Sequence, residues 1–294
     1  MSPGIPAAAP VRPHEPLSES WVRPPNDVEF AKFRILIERE IGISLGEVKR
    51  PLLLSRLARR LRRLGLTTFS DYFEVVTSGR DAEERTAMFD AICTNETAFF
   101  REPRHFEVLC TDFIPRWQVA ATAGIRPKSI RIWSAACSTG EEPYSLAMVL
   151  LDHFGSEWDL RVDATDVSSR AVEQARRGVW PIRKATPIPE NYLRRFMLRG
   201  TRDQAGTFKA GADVRAIIRF GRLNLIDDAY PLGVYDAVFC RNVLIYFNSA
   251  VRATVIGRLL NHVDASGYFF VGHAETLASF NGGIRAIVPN VYAR

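Results

Sequence analysis

Residues 133–150 read WSAACSTGEEPYSLAMVL, and this stretch restricts the fold more than any other. An apolar run ending in small residues passes through a one-glycine loop into an amphipathic helix. That is the layout of a nucleotide-binding strand-turn-helix unit. IRIWSAA, LRVDATD, YDAVFCRNVLIYF and GYFFVGHAE repeat the strand half, with helical stretches between them. Runs such as AVFC are apolar on both faces, so they belong in a parallel sheet sandwiched by helices. Residues 125–294 are therefore expected to form an open α/β sheet with AIVPNVYAR as its last strand. Ligands of such a sheet lie at the C-terminal ends of its strands.

The loop departs from a dinucleotide turn. It lacks G-x-G-x-x-G, and Glu141 and Glu142 stand where a phosphate would sit. Gly140 allows close approach, and Ala135 and Ala136 keep the strand end slim. Either glutamate can accept hydrogen bonds from a cationic or hydroxyl-bearing ligand. Acids in a first helical turn also complement the helix dipole, for ~0.3–1 kcal/mol, so the residues leave both roles open. Asp166 ends the next strand, where an acid holds ribose hydroxyls or caps the following helix, SSRAVEQARRG. Ser168 is an equal candidate for that cap. Arg241 and Asn242 follow directly on a buried strand, where a charge needs a partner or a ligand, and Tyr246 and Phe247 lie within reach. NETAFFREPRHF, residues 95–106, combines Asn95, Thr97 and Arg101 with a double Phe, and by spacing alone it also fits a linker helix.

Before residue 125 there is no strand signal. The Pro- and Ala-rich residues 1–25 interrupt any signal-peptide core and are expected to be a disordered tail. Residues 26–92 read as a small helical domain, and residues 93–124 as a linker. Phe30, Phe33, Ile37 and Ile41 recur at helical spacing up to Gly42, and a second helix runs from about Val48 to Leu64. Further helices are expected at Asp71–Val76 and Ala82–Cys93. The second helix carries Arg56, Arg59, Arg60 and Arg63 on one stripe and Leu53, Leu57, Leu61 and Leu64 on another. A charge run is usually a solvated face. Like charges one turn apart repel, however, and this favours a docking surface for something negative. Between residues 185 and 220, turn signals separate the short β-like runs Phe208–Ala210 and Val214–Phe220, and a small antiparallel insertion is expected there.

Composition narrows the class. The 294 residues are 47% hydrophobic and 24% charged, ordinary for a globular protein. No apolar run reaches the ~20 residues of a membrane span. Cys93, Cys110, Cys137 and Cys240 form no C-x-x-C and have no His cluster beside them, so neither disulfides nor a metal site is expected, and a reducing cytosol fits. The net charge of +6 favours an acidic partner without choosing among nucleic acid, anionic lipid and protein.

Taken in order, NETAFFR, WSAACSTGEEPYSLA, ATDVS, RLNL and FCRNVLIYF resemble the chemotaxis receptor methyltransferases (CheR-type), from about residue 28 to the end. The resemblance implies a class I S-adenosylmethionine methyltransferase sheet, Rossmann-like, with a small antiparallel β insertion and an all-α N-terminal domain. It implies transfer of a methyl group from S-adenosylmethionine to glutamate carboxylates of receptor signalling helices. By motif, Asn95, Thr97, Arg101, Gly140, Glu141, Asp166, Asn224, Leu225, Arg241 and Asn242 are the expected cofactor contacts. Asp166 would hold the ribose, and Asn224 and Leu225 would lie near the adenine. Arg101 and Tyr246 are the expected catalytic residues, and Arg56, Arg59, Arg60 and Arg63 the expected docking residues. The resemblance also implies a tether to a receptor C-terminal peptide through the β insertion, but Arg202 replaces the second glycine of the family's R-G-T-G turn. The chain is expected to be a cytoplasmic monomer that neither enters a membrane nor binds nucleic acid.

Two rival readings remain. A nucleic-acid methyltransferase suits the basic charge, but RNVLIYF lacks the D/N-P-P-Y/F signature of amino-directed enzymes. An inactive receptor-binding adaptor would be expected to lack part of the motif set, and none is missing. The missing G-x-G-x-x-G disfavours a nicotinamide dehydrogenase.

Overall fold

The computed structural model describes residues 22–277, 280 and 282–294. The tail expected at 1–25 lies outside the described residues up to residue 21. Packing begins ahead of the expected boundary, because Val22 is buried in the core of the helical domain.

Four helices build that domain: α1 (Asp27–Ile41), α2 (Arg50–Arg63), α3 (Phe69–Thr77) and α4 (Ala82–Ile92). Asn26 and Glu29 close a capping box at the start of α1, each side chain accepting the other's backbone N–H at 2.9 Å. Gly42 ends the helix at φ 76°, its N–H donating to Glu38 O. Phe30, Phe33, Ile37, Leu57, Phe69 and Tyr72 fill the centre.

The arginine stripe on α2 is not the unpaired row its spacing suggests. The Arg56 guanidinium donates to the carbonyls of Ala91, Ile92 and Cys93, at 3.2, 3.2 and 2.6 Å. It thereby caps the end of α4, where helix carbonyls lack partners. Arg60 grips the buried Glu84, which also accepts a 2.7 Å hydrogen bond from Tyr72. Arg59 and Arg63 stay exposed, and so does Leu64, expected in the leucine stripe.

After α5 (Pro103–Val108) and α6 (Ile114–Thr122) comes the sheet domain. Its elements are β1 (Ser129–Ala135), α7 (Glu141–His153), β2 (Asp159–Asp166), α8 (Ser169–Arg177), β3 (Val179–Pro181), α9 (Glu190–Phe196), β4 (Met197–Arg199), β5 (Thr207–Ala210), α10 (Ala212–Ala216), β6 (Ile218–Arg222), β7 (Tyr235–Cys240), α11 (Ser249–Asn261), β8 (Val263–Val271), β9 (Arg285–Val288) and β10 (Val291–Ala293). The main sheet has the order β6-β2-β1-β7-β8-β10-β9. Its pairs from β6 through β8 are parallel, while β10 pairs antiparallel to both neighbours. The expected last strand is therefore a hairpin, split at Pro289 and Asn290, with Asn290 at φ 65°. Strand residues alternate between two cores. Ile132, Ala237 and Phe270 face the core that includes α7, whereas Trp133, Val238 and Phe269 face the one that includes α11.

The insertion begins earlier and ends sooner than expected. Gly178 stops α8 at φ 60°, and β3 follows directly to pair with β5 in the small antiparallel sheet β3-β5-β4. The run at Val214–Phe220 is not part of it. Val214 ends up in α10, and β6 pairs in parallel with β2, Val162 opposite Ile218, as the edge of the main sheet. A short apolar run carries no record of which sheet it joins; pairing decides that.

The helical domain closes onto the sheet domain next to the strand ends. Ile43 bridges Phe247, Ser44 N donates to Tyr246 O at 2.8 Å, and Asn224 Nδ2 donates to Glu40 O at 2.7 Å.

Candidate active site

The C-terminal ends of β1, β2, β6 and β7 converge on one cleft, with about 910 Å³ of free space, part of it open to solvent. Thr94, Asn95, Glu96, Thr97, Ala98 and Arg101 line one side, and Ile41 and Ile43 bring in the helical domain. Of the residues expected from sequence, the cleft gathers Asn95, Thr97, Arg101, Asp166, Asn224, Leu225, Arg241, Asn242 and Tyr246. Gly140 and Glu141 are not among its lining. Arg56, Arg59, Arg60 and Arg63 lie on α2, outside the cleft.

The two adjacent glutamates have different surroundings. Glu141 is 0% exposed and faces the small sheet, taking Lys184 as its ion pair and a 2.7 Å hydrogen bond from Thr139 Oγ1. Glu142 faces the cleft, accepting from Ser134 Oγ at 2.7 Å and Arg241 Nη1 at 2.9 Å. Successive helical residues turn by about 100°, so one of two adjacent acids reaches the ligand side and the other is packed away. Gly140, at φ 98°, is needed for packing. A Cβ there would stand 2.9 Å from Ala175 Cβ of α8.

Arg241, 6% exposed, is the hub of the site. Its guanidinium joins Glu142 to Glu102 at 2.9 Å each and also donates to Arg101 O. Burial works to raise Glu102, but Arg241, the His273 N–H and Asn242 overcome it and bring the carboxyl down to about 2. Glu142 moves the other way, because its burial outweighs Arg241 and Ser134. His105, buried between Glu102 and the Phe270 ring, is lowered to about 4, first by burial and then by the positive Arg241. Ligand atoms of Glu102, His105 and His273 lie within 4.8 Å of one another. The Glu102 charge already answers Arg241, so this carboxylate is committed to an ion pair.

Asp166 ends β2 with its carboxylate held by backbone N–H groups. Oδ2 accepts Ser138 N–H at 2.8 Å and Oδ1 accepts Ser168 N–H at 2.9 Å. The Val167 N–H also bears on this carboxylate, which lines the cleft. Burial raises the Asp166 pKa against the pull of these N–H groups. Ser168 itself caps α8, so of the two candidates for that cap the serine makes it. Ala136 and Ser138 hold positive φ, 65° and 51°, in the loop between. Such strain persists only where surrounding structure enforces it. Ser138 Oγ is buried, lines the cleft and has no hydrogen-bond partner among the described residues.

Sequence reasoning missed Glu102, Ser138 and the orientation of Glu142. Arg241 meets its glutamates across 139 and 99 residues of chain, and no local spacing signals that.

The family description "CheR methyltransferase, SAM binding domain" matches residues 95–291, and "CheR methyltransferase, all-alpha domain" matches residues 28–93. Chemotaxis protein methyltransferase 2 of Pseudomonas aeruginosa is 37% identical over 267 residues, which cover 90% of this chain and 92% of that one. The chemotaxis protein methyltransferase of Escherichia coli is 35% identical over 272 residues, 91% of each chain. That of Borreliella burgdorferi is 31% identical over 270 residues, 90% of this chain and 94% of its own.

Proposed function

The chain belongs to the CheR methyltransferase family, and on that premise we propose that it esterifies glutamate carboxylates on chemoreceptor cytoplasmic helices. It is an S-adenosylmethionine-dependent methyltransferase of chemotaxis. The observation that carries the finer reading is the company Asp166 keeps. Its carboxylate, held by the Ser138 and Ser168 N–H groups, lines the cleft at the strand end where an acid holds ribose hydroxyls, and the same cleft holds Glu142, Arg101 and Tyr246.

The donor set suits this cofactor. Asp166 accepts the ribose hydroxyls, Ser138 Oγ supplies a spare polar group, and Glu142 faces the cationic methionine end. Asn224 and Leu225 flank the adenine, with Asn224 fixed by its bond to Glu40 O. Asn95 and Thr97 close the opposite side, and Asn242 completes the pocket. Arg241 acts by holding Glu142 and Glu102 in place.

When bound, S-adenosylmethionine supplies an electrophilic methyl: a carboxylate oxygen gains it, the sulfur keeps the C–S electrons, and no proton moves. A free glutamate ionises near ~4.3, so at neutral pH the nucleophile needs no general base. The protein's task is alignment and exclusion of water. Arg101, exposed, and Tyr246, half-buried, orient the arriving carboxylate by hydrogen bonds. A tyrosine holds it without blunting it as a full ion pair would.

We read residues 26–92 as the receptor-docking domain, with Arg59 and Arg63 as its outward charges. Residues 93–124 link it to the methyltransferase domain at 125–294. A receptor tether would use β4, the edge of the small sheet, where Leu198 is exposed. Arg202 sits at φ 51°, a region that favours glycine. That conformation costs a non-glycine residue ~1–2 kcal/mol. No helix among the described residues is long and apolar enough to cross a membrane, and we read the protein as a cytoplasmic monomer.

Methyl-labelled S-adenosylmethionine and a receptor cytoplasmic fragment, with and without its C-terminal tail, test the reading. The expected product is label on the fragment that alkali releases as methanol. Alkali-stable label, or label on nucleic acid alone, would overturn it.

A further inference from the structure

We propose that Glu275 is a positioning residue of the methyl-transfer site, shaping the turn that presents Asn242 and Tyr246. The proposal rests on the roles given to those two residues above.

Glu275 is 3% exposed and lies on the loop after β8, outside the cleft lining. Its Oε2 accepts the backbone N–H groups of Asn242 and Gly272, both at 2.7 Å. Its Oε1 accepts the N–H of Ile245 at 3.2 Å. One carboxylate thus ties together the chain leaving β7 and the chain leaving β8, two parallel neighbours whose pairing has just ended. A buried backbone N–H without a partner is costly, and the turn has little regular structure to satisfy its own. Only the single turn Leu244–Tyr246 is helical, and Asn242 holds a left-handed φ of 60°. Asparagine tolerates that region better than most residues, yet the conformation still needs an outside restraint.

The restraint is itself braced. Glu275 N donates to Gly272 O at 2.8 Å, and Asn290 Nδ2 donates to the same oxygen at 3.0 Å. Gly272 has no room for a side chain. A Cβ would stand 2.5 Å from Asn242 Nδ2 and 2.8 Å from Glu275 Oε2. The Asn242 side chain reaches Glu102 at 3.2 Å. Glu275 therefore sets the backbone of the turn, while Glu102 sets the side chain that faces the cleft.

The chemistry requires a carboxylate. Both oxygens meet N–H donors, so a glutamine amide would set donor against donor on one side. Burial raises the Glu275 pKa, and the converging N–H groups hold that rise back.

A double-mutant cycle on the full chain tests this. Glu275→Gln, Tyr246→Phe and Asn242→Ala are made singly, and Glu275→Gln is combined with each of the others. S-Adenosylhomocysteine affinity, kcat and KM for a receptor fragment, and the thermal midpoint are measured for all. Glu275→Gln is expected to lower kcat about tenfold, the size of one misplaced hydrogen bond. KM for the fragment should be unchanged, and Glu275→Gln with Tyr246→Phe should be no slower than Tyr246→Phe alone. Glu275→Asp, which keeps two acceptor oxygens, should recover part of the rate. If Glu275→Gln fails to fold, Gly272→Ala disturbs the same joint and should reproduce the pattern. A kcat within twofold of wild type, or a loss that multiplies in full with that of Tyr246→Phe, overturns the proposal. If Tyr246→Phe and Asn242→Ala are themselves silent, the site reading falls first and the proposal with it.

Discussion

The helical domain and the sheet domain both bury charged side chains, but only one of them builds a site by doing so. In the helical domain Arg60 meets Glu84 and Tyr72, and Arg56 meets the end of α4. There Arg56, Arg60 and Tyr72 all find acceptors within the fold. In the sheet domain Asp166 lines the cleft on its backbone N–H supports, and Ser138 Oγ is buried there without a partner among the described residues. Buried charge alone does not mark a binding site. Buried charge facing a cleft, beside a polar group left without a partner, does.

The contrast can be broken by substitution. Arg60→Ala leaves Glu84 buried and unpaired, and chemical denaturation should show a loss of about 3 kcal/mol. S-Adenosylhomocysteine affinity of the folded fraction should stay at the wild-type value. A drop in affinity would mean that the helical domain's internal charges also serve the cleft.

The adjacent glutamates sharpen the contrast within one helix turn. Glu142→Gln should weaken S-adenosylhomocysteine about tenfold by calorimetry, the value of one charge-assisted hydrogen bond. Glu141→Gln, which only loosens Lys184 and Thr139, should lower the thermal midpoint and leave affinity within about twofold. The reverse outcome would restore the role the sequence suggests for Glu141.

A smaller effect follows from pH. Asp166 accepts hydroxyls only while ionised, and burial raises its pKa. Affinity should therefore decline as pH falls through that raised value, above the range of an ordinary aspartate, and Glu142, also raised by burial, adds to the decline. Glu102, held near 2 by Arg241, stays ionised across this window and adds nothing to the decline. Its own contribution to stability is full above the ordinary carboxylate range and is lost as pH falls toward 2. Affinity flat down to an unshifted aspartate pKa would contradict the assignment.

The smallest effect belongs to the surface. Charge reversal at Arg59 and Arg63 should slow receptor methylation a few-fold at low salt, less at high salt, and leave cofactor affinity unchanged. Equal losses in both would indicate misfolding.

What could be read from sequence was whatever repeats or sits at a chain end. The strands β1, β2, β7 and β8 are long apolar runs, and α1 carries both its caps in its own letters. Cleft residues next to strand ends, such as Asp166, Arg241 and Asn242, were legible for the same reason. Orientation was not. Glu141 and Glu142 differ only by a rotation, and Arg56 and Arg59 only by which neighbour lies across the groove. The strand at Ile218–Arg222 looked like part of the insertion because nothing in a five-residue run names its partner. Glu275 stayed hidden because its partners are backbone N–H groups, which every sequence supplies equally.

The most direct measurement is calorimetric titration of S-adenosylhomocysteine into Asp166→Ala, beside its thermal unfolding curve. Loss of at least ~100-fold in affinity, the scale of two charge-assisted hydrogen bonds, in a protein that still folds but unfolds at a lower midpoint because the Ser138 and Ser168 N–H groups lose their acceptor, is the result expected of a residue that serves a ligand. Wild-type affinity in a folded protein would contradict the account.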